Sequence, residues 1–421
     1  MKINIPHVHK IEGEAGFWAK VAKTGLVEDL KINTLVGLRQ IEGILVGRKV
    51  TDTPLIVSRI CGICPVVHIL NACCALEKAL DINISAATIL MRKILLASQI
   101  IHSHTLHMFF MTLADFFDIE NDLELTKKFP KETKAALAVR DFGIGIVEKI
   151  GGRTVHPLTP HIGGFLKMPE KSGLAQILEE SKSALDNALM LAKLFGELEY
   201  PDFRKETIFA SVYSRKEYPF YAQNIIKIGD DKISAGDFYS NKIEESLKNP
   251  LVKKVKFQGK PYMLGAVSRV KNNGGLLNPS AKDVLAGFER NKGNIFKNNF
   301  YNLFFQAVEV VHFIEEVRKL AKEILSFDLN EKPKEIKFNK GSGLSAMEAP
   351  RGTLFTYFEI NEKGIISDCD IITPTAQFLN NLEDDLRVLL PRINKLSRKQ
   401  KERKIRSLIR CYDPCISCAT H

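Results

Sequence analysis

Two stretches decide the fold of this chain: Arg59-Ile-Cys-Gly-Ile-Cys-Pro-Val-Val-His68 and Asp413-Pro-Cys-Ile-Ser-Cys-Ala-Thr-His421. Each contains a Cys-x-x-Cys pair that is followed by a histidine. One such pair supplies two thiolates that can reach a single metal ion, and two pairs complete a four-sulfur set. Zinc fingers place their pairs close together in sequence, whereas nearly the whole chain separates these two. We therefore expect the fold to close around the metal.

The residue after the first pair predicts a helix. Pro65 is tolerated in a first helical turn, and the apolar pattern continues to about Leu80. The helix dipole would favour the thiolate forms of Cys61 and Cys64. His68 follows Cys64 by one helical turn, so we expect its ring to hydrogen-bond that sulfur. A histidine that is simply satisfied within the core is the plainer alternative. Soft thiolates select zinc, nickel, copper(I) or iron, so these residues alone leave the metal open.

Outward from the cysteine pairs, four long segments have helical patterns. They cover Ser85 to about Phe117, Lys131–Ile150, Pro169 to about Leu198, and Asn298–Leu325. Shorter strand-like segments flank them, including a hairpin that turns at Asn361–Gly364. We therefore predict a mainly α fold with small α+β flanks, in which a bundle of long helices surrounds a buried metal site.

Composition limits the classes of protein to consider. The chain has 421 residues, 45% of them hydrophobic and 26% charged, as in an ordinary globular protein. No apolar run reaches membrane-spanning length and the first six residues have no signal-peptide h-region, so we expect a cytoplasmic protein, with twin-arginine export on a partner chain as the alternative. The net charge is +11, but the densest basic run, Lys395 to Arg410, has no interleaved aromatic residues. A solvated helix face or a docking surface for an acidic partner is therefore favoured over a nucleic-acid site.

The two motifs together resemble the large subunit of nickel-iron hydrogenases. The resemblance extends over nearly the whole chain and includes Gly265-Ala-Val-Ser-Arg269 in the middle of it. It implies that residues 1–421 form a single catalytic domain around a dinuclear metal centre. It also implies reversible, heterolytic cleavage of molecular hydrogen to protons and electrons.

The resemblance assigns the metal ligands. Nickel would be bound by Cys61, Cys64, Cys415 and Cys418, and Cys64 and Cys418 would also bind iron. The iron would carry cyanide and carbon monoxide. Splitting hydrogen requires an open metal position and a nearby base. The terminal thiolates of Cys61 and Cys415 are candidate bases, and Glu12 would be the next proton acceptor; a surface carboxylate is the alternative for Glu12.

Other roles follow from the same resemblance. Arg351 would stand over the open metal position and be oriented by Asp413, although a structural ion pair is the alternative. Thr375 would hydrogen-bond a cyanide. Ser103 and Phe378 depart from residues that are common in the family, which leaves the branch open among nicotinamide, deazaflavin, ferredoxin and heterodisulfide partners.

A second cation is implied near the end of the chain. His421, the carboxylate of Glu42 and the backbone carbonyl of Ile371 would bind magnesium, or iron because imidazole takes part. The alternatives are a solvated helix residue for Glu42 and a packed terminal residue for His421. A segment that carries two nickel ligands should in either case be anchored and buried.

The remaining cysteines imply a partner. Cys73, Cys74, Cys369 and Cys411 read as small core residues, which leaves no set for an iron-sulfur cluster. Electrons would therefore leave through an iron-sulfur small subunit, and further electron-acceptor subunits are expected. Two rival interpretations stay open: a relative of the quinone-site subunit of complex I, which lacks the nickel thiolates, and a structural zinc protein.

Overall fold

The computed structural model describes residues 2–119, 121–245 and 252–421. Within them lie fourteen α-helices: α1 Ile41–Leu45, α2 Thr53–Val57, α3 Pro65–Ala79, α4 Ala86–Thr105, α5 Asp122–Lys128, α6 Pro130–Gly151, α7 Lys171–Glu197, α8 Ala235–Ser240, α9 Ala266–Asn273, α10 Pro279–Lys292, α11 Asn302–Ile324, α12 Pro374–Arg392, α13 Arg398–Cys411 and α14 Ile416–Ala419. The prediction of a mainly helical chain is confirmed.

The strands of the described residues form small antiparallel sheets. They are β1 Lys2–Ile5, β2 Ala15–Val21, β3 Val27–Thr34, β4 Pro160–His161, β5 Gly164–Phe165, β6 Ala210–Val212, β7 Ile225–Ile228, β8 Asp231–Ser234, β9 Lys242–Glu245, β10 Lys254–Phe257, β11 Gly341–Ala349, β12 Gly352–Ile360 and β13 Ile366–Ile372. Three three-stranded sheets have the orders β1-β2-β3, β6-β7-β8 and β11-β12-β13, and β4-β5 and β9-β10 form ribbons. The turn between β12 and β13 lies where the sequence predicted it.

The four predicted long helices correspond to α4, α6, α7 and α11. Helix α4 packs against α6 and α11, and α7 packs against the same two helices. Gly143 permits the close approach of α6 to α4, because a Cβ there would lie 2.8 Å from the Ser98 carbonyl oxygen. Helices α4 and α11 both carry many fully buried apolar side chains, so the contact between these two helices lies in the core of the protein.

One of these helices ends earlier than predicted. Helix α4 stops at Thr105 instead of reaching Phe117, and the chain continues as a wider π-helical turn over Leu106–Thr112. This turn contains His107, whose Nε2 lies 2.7 Å from the Arg410 carbonyl oxygen and whose Nδ1 lies 2.7 Å from Gln306 Oε1. Such π turns often occur at functional sites, and this one contacts the segment that leads into the C-terminal motif.

The elements that carry the cysteine motifs are buried. Helix α3 packs on the sheet β11-β12-β13, and Gly343 in β11 permits this approach because a Cβ there would lie 2.0 Å from the Ala75 carbonyl oxygen. Helix α13 forms from the predicted basic run; its first turns are exposed, whereas Leu408, Ile409 and Cys411 are buried. The chain therefore enters the core just before Asp413 and stays there to its end.

Two further sequence expectations concern the core and the membrane. Cys73, Cys74, Cys369 and Cys411 are buried, as predicted. No helix among the described residues combines the length and apolarity needed to cross a membrane. The segment 200–295 contains the short strands β6 to β10 and the helices α8 to α10, and its residues 246–251 lie outside the described residues.

Candidate metal centre

The two cysteine pairs meet in the core. Cys61 follows a short 3-10 turn, Cys64 directly precedes α3, and Cys415 and Cys418 lie at the start and within the single turn of α14. Their sulfurs all lie within 4.8 Å of one another, and the described residues contain no other such group of three or more His, Cys, Asp or Glu side chains. Cys61 Sγ lies 3.5 Å from Cys415 Sγ, and Cys64 Sγ lies 3.4 Å from Cys418 Sγ. The arrangement is therefore a four-sulfur site built from both ends of the chain.

The electrostatics of this group call for a cation. Hydrogen bonding from the Cys415 thiol, and then from Cys418 and Cys64, holds the pKa of Cys61 well below its usual range. Burial raises the pKa of Cys415 and of Cys418. The protein atoms alone thus stabilise a thiolate mainly at Cys61. Ionisation of the other three cysteines as well would place four negative charges in the core, which only a bound cation would balance, so the donor set fits a soft, thiolate-binding metal.

The start of α3 lies where the sequence predicted it, but one contact differs. The backbone N–H groups of Ile63 and Cys64 donate to Cys61 Sγ at 3.3 and 3.4 Å. Burial lowers the pKa of His68 to about 3, so its imidazole is neutral. The ring was predicted to contact the Cys64 sulfur, yet His68 Nε2 lies 3.7 Å from Cys418 Sγ. The prediction considered only the neighbouring motif, whereas the fold places the C-terminal motif beside this face of α3.

A small cavity is lined by three of the four cysteines. The full lining consists of Cys64, His68, Ala349, Pro350, Arg351, Leu354, Pro374, Thr375, Cys415 and Cys418. Its volume is about 10 Å³, which is room for about one water-sized group. Thr375 Oγ1 accepts the Cys415 N–H at 3.0 Å, which leaves the hydroxyl proton available for another acceptor. The cavity can therefore hold a small group beside one edge of the four-sulfur set.

Arg351 lies at this cavity and is held by Asp413. Its Nε donates to the Asp413 carbonyl oxygen at 2.7 Å, and its Nη2 lies 2.9 Å from Asp413 Oδ1. The third nitrogen, Nη1, is buried without a hydrogen-bond partner among the described residues. Asp413 adopts a left-handed backbone conformation with φ 53°, a strain that is typical of functional sites. The guanidinium thus has one unsatisfied edge next to the sulfurs.

Glu12 also reaches the sulfurs. Its Oε2 lies 2.8 Å from Cys415 Sγ and accepts the Ser417 N–H at 3.1 Å. The backbone joins the same segments, because Ile416 N–H donates to the Glu12 carbonyl oxygen at 2.9 Å. The Glu12 carboxylate is therefore a hydrogen-bond partner of the Cys415 thiol.

The last residue meets two more of the predicted ligands. His421 Nε2 lies 2.9 Å from the Ile371 carbonyl oxygen and 3.6 Å from Glu42 Oε1. His421 Nδ1 lies 2.5 Å from the Cys418 carbonyl oxygen. A neutral imidazole has one N–H, and with that proton on Nδ1 the other three atoms form a group of acceptors only. Such a group fits a cation.

Two residues of the site were missed by the sequence analysis. Arg39 donates to the Arg59 and Ile60 carbonyl oxygens at 3.0 and 2.6 Å, and also to the Ser417 carbonyl oxygen. It therefore joins the two cysteine segments. Lys253 Nζ lies 2.7 Å from Glu42 Oε1 and shares that carboxylate with the site at His421. Neither has a sequence signal, because the partners of Arg39 are backbone atoms and Lys253 is distant in sequence from Glu42.

A family model described as nickel-dependent hydrogenase matches residues 39–141 and 205–421. The chain belongs to this family. It is 32% identical over its whole length to sulfhydrogenase 1 subunit alpha of Pyrococcus furiosus, 98% of which is covered. Sulfhydrogenase 2 subunit alpha of the same organism is 29% identical, with 100% of this chain and 99% of the relative covered. As a nickel-dependent hydrogenase, the protein is an oxidoreductase that acts on molecular hydrogen.

Solved structures agree on the fold. An NAD+-reducing nickel-iron hydrogenase has a TM-score of 0.89 with 21% sequence identity, and 100% of this chain and 99% of that chain are covered. A nickel-iron-selenium hydrogenase of Dm. baculatum has a TM-score of 0.82 with 21% identity, and both chains are fully covered. The comparisons support the hydrogenase interpretation, and they support neither the complex I relative nor the structural zinc protein.

Proposed function

We propose that residues 1–421 form one catalytic domain, and that this hydrogenase subunit cleaves molecular hydrogen at a nickel-iron centre between Cys61, Cys64, Cys415 and Cys418. The observation that carries the proposal is the meeting of four buried sulfurs from the two ends of the chain. Nickel would take all four sulfurs, and iron would share those of Cys64 and Cys418. The metal pair, when bound, would supply the Lewis acid at which hydrogen is polarised.

The placement of iron is supported by a cavity whose lining includes Cys64 and Cys418, together with Cys415. It is small and largely apolar, which suits diatomic ligands such as cyanide and carbon monoxide. Two polar groups border it: the Thr375 hydroxyl, whose proton is available, and the guanidinium of Arg351, whose Nη1 has no partner among the described residues. We propose that Thr375 donates to a cyanide and that Arg351 stands over the open metal position. Neutral His68 would donate to the Cys418 sulfur and reduce its charge density.

Proton transfer is assigned to Cys415 and Glu12. A proton received at Cys415 Sγ can pass to Glu12 Oε2 over 2.8 Å, a distance within hydrogen-bond reach. The Ser417 N–H, at 3.1 Å, fixes the orientation of the carboxylate toward the sulfur. Cys61 is the second candidate base, but it has no comparable carboxylate partner in the described part of the chain. Asp413 orients the guanidinium of Arg351 through two contacts.

The acceptor group at His421 is proposed to bind magnesium, with iron as the alternative. Glu42 and the Ile371 carbonyl would supply oxygen ligands and His421 Nε2 a nitrogen ligand. The cation would tie the buried tail to α1 and β13, and thereby fix Cys415 and Cys418.

Electrons are proposed to leave through an iron-sulfur small subunit and then through further acceptor subunits. Support comes from the relatives, whose names describe them as alpha subunits. Exposed apolar side chains lie on segments that adjoin Ser58–Ile60, next to the first cysteine pair; they are Leu38, Leu55, Val155 and Leu158. Such a surface suits a protein interface. We place the assembly in the cytoplasm and expect no nucleic acid partner.

Metal analysis of the purified, matured subunit tests the proposal. We expect about one nickel and one iron at the four-sulfur site, with additional magnesium or iron at His421. Zinc as the sole metal would favour a structural site, and a metal-free but folded and matured protein would favour the complex I-like alternative.

A further inference from the structure

Arg269 is a fully buried arginine that the proposed mechanism does not use. It lies in α9, at the end of the segment Gly265–Arg269, and none of its surface is exposed. Burial of a guanidinium is costly unless every N–H is satisfied. The hydrogen-bond partners of Arg269 therefore indicate its role in the structure.

The guanidinium uses all five of its N–H groups. Nε and Nη2 donate to the two carboxylate oxygens of Glu309, each at 2.6 Å. Nη1 donates to Glu348 Oε2 at 2.9 Å. The two remaining N–H groups donate to backbone carbonyls, that of Ala349 at 2.9 Å and that of Pro350 at 3.0 Å. Arg269 thus connects α9 and α11 to two consecutive peptide groups.

Those peptide groups directly precede Arg351. Ala349 is the last residue of β11, and Pro350 and Arg351 form the two-residue turn to β12. Gly352 closes the turn with φ 133°, where a Cβ would lie 2.5 Å from Leu264 Cβ. The side chain of Arg351 is held by Asp413, and the peptide group that precedes Arg351 is held by Arg269. Contacts to both the side chain and the adjoining backbone therefore fix the position of Arg351 Nη1.

We propose that Arg269 is a positioning residue for Arg351, which fixes the turn 349–351 so that the Arg351 guanidinium faces the metal centre. The inference rests on the proposed role of Arg351. The charge of Arg269 faces two fully buried carboxylates, those of Glu309 and Glu348, and Glu309 also lies 2.9 Å from His104 Nε2. Through His104 and Glu309, this network connects the long helices α4 and α11 to the turn that carries Arg351. The position of Arg351 is thereby tied to the packing of those two helices.

A double-mutant cycle tests the proposal with Arg269→Lys and Arg351→Lys in the matured complex. Lysine keeps the positive charge beside Glu309 but has three donors in place of five, so the carbonyls of the turn lose their partner. Displacement of a positioned group by about 1 Å can cost up to about a hundredfold in rate. We expect Arg269→Lys to lower kcat for hydrogen oxidation by about tenfold or more, with nickel content and KM for hydrogen unchanged. In the Arg351→Lys background, the same change should lower kcat by less than about twofold.

Arg92→Lys is the matched control. Arg92 is equally buried, contacts both carboxylate oxygens of Glu77 at 2.8 and 2.6 Å, and donates to the His161 carbonyl oxygen. We expect it to lower the thermal midpoint as Arg269→Lys does, yet to leave kcat within about twofold of wild type. A similar loss of kcat in both variants would overturn the inference, because general destabilisation would then explain it.

Two further outcomes separate the inference from the proposed function. If Arg351→Lys lowers kcat but Arg269→Lys is equally harmful in both backgrounds, Arg269 does not act through Arg351 and the inference is wrong. If Arg351→Lys alone leaves turnover unchanged, the proposed role of Arg351 fails, and the inference fails with it. Should Arg269→Lys not fold, the triple change Arg269→Gln, Glu309→Gln and Glu348→Gln removes the arginine together with both of its buried carboxylate partners. The same cycle then decides between coupling and independence.

Discussion

Glu12 Oε2 lies 2.8 Å from Cys415 Sγ, although the two residues are 403 positions apart in the chain. The contact is reinforced by the Ile416 N–H, which donates to the Glu12 carbonyl oxygen at 2.9 Å. Among the described residues, Cys415 supplies the only sulfur to which Glu12 is hydrogen-bonded. The carboxylate is therefore placed to take a proton from that thiol. The first prediction follows from this geometry.

Glu12→Gln should retain nickel and iron and lower hydrogen oxidation by orders of magnitude. The amide keeps the shape of the side chain but cannot accept the proton that a carboxylate accepts. Metal analysis and a dye-reduction assay measure the two quantities. Glu14→Gln is the control, since Glu14 is an exposed carboxylate two residues away, and it should behave as wild type. Unchanged turnover in Glu12→Gln would remove the relay, and loss of metal would make Glu12 structural.

Arg39→Ala should loosen the contact between the two cysteine segments. The guanidinium donates to carbonyl oxygens on both, and hydrogen bonds from charged groups contribute about 1.5–3 kcal/mol. We expect faster loss of nickel on dialysis against a chelator and a lower thermal midpoint. Arg48→Ala changes an exposed arginine of the same region and should have neither effect. Equal nickel retention in the two variants would show that Arg39 does not stabilise the site.

His421→Ala should release the tail without removing a nickel ligand. The imidazole contacts the Ile371 carbonyl and lies near Glu42, and the proposed cation depends on it. Nickel occupancy should fall, and amide hydrogen exchange should rise over the last residues of the chain. Full nickel occupancy with an unchanged exchange rate, and no second cation in the wild type, would leave His421 as a packed terminal residue.

Lys253→Met should tighten the binding of magnesium at the same site. The ammonium lies 2.7 Å from Glu42 Oε1 and 2.9 Å from Asp370 Oδ1. Its removal frees the Glu42 carboxylate for a dication, whereas Asp370 keeps Lys242 and Tyr239 as partners. We expect the affinity to rise about tenfold or more in calorimetric titration of the chelator-treated complex. Lys254→Met is the control, because that lysine pairs with Glu383 instead. A weaker or unchanged affinity would contradict a cation site at Glu42.

Residue type and spacing were sufficient to predict that the two cysteine pairs meet, and the family resemblance supplied the other residues of the site. The cysteine pairs, and the residues matched through the family, lie around one buried site or at the adjoining tail, because the family motif encodes a fixed three-dimensional arrangement. The long helices were predicted because their apolar periodicity reflects burial on one face. The cysteine motifs therefore predict the four-sulfur group, and the apolar periodicity predicts the main helices.

Other features depend on packing that no pattern in one sequence records. His68 contacts Cys418 instead of Cys64, since its partner is decided by how α14 lies against α3. Arg39 and Arg269 donate to backbone carbonyls, which are present at every residue and carry no sequence signal. The π turn at Leu106–Thr112 replaces the last part of a predicted α-helix. In this turn His107 contacts the Gln306 side chain on α11 and the Arg410 carbonyl oxygen on α13.

The central claim is that four cysteines and Glu12 form a site that splits hydrogen heterolytically. Isotope exchange tests it most directly, because exchange between deuterium gas and water protons needs neither a dye nor a partner's redox carrier. The nickel-loaded wild-type complex should form hydrogen deuteride, and Cys415→Ser should reduce its formation to background. The absence of exchange in the nickel-loaded wild type, or unchanged exchange in Cys415→Ser, would contradict the account.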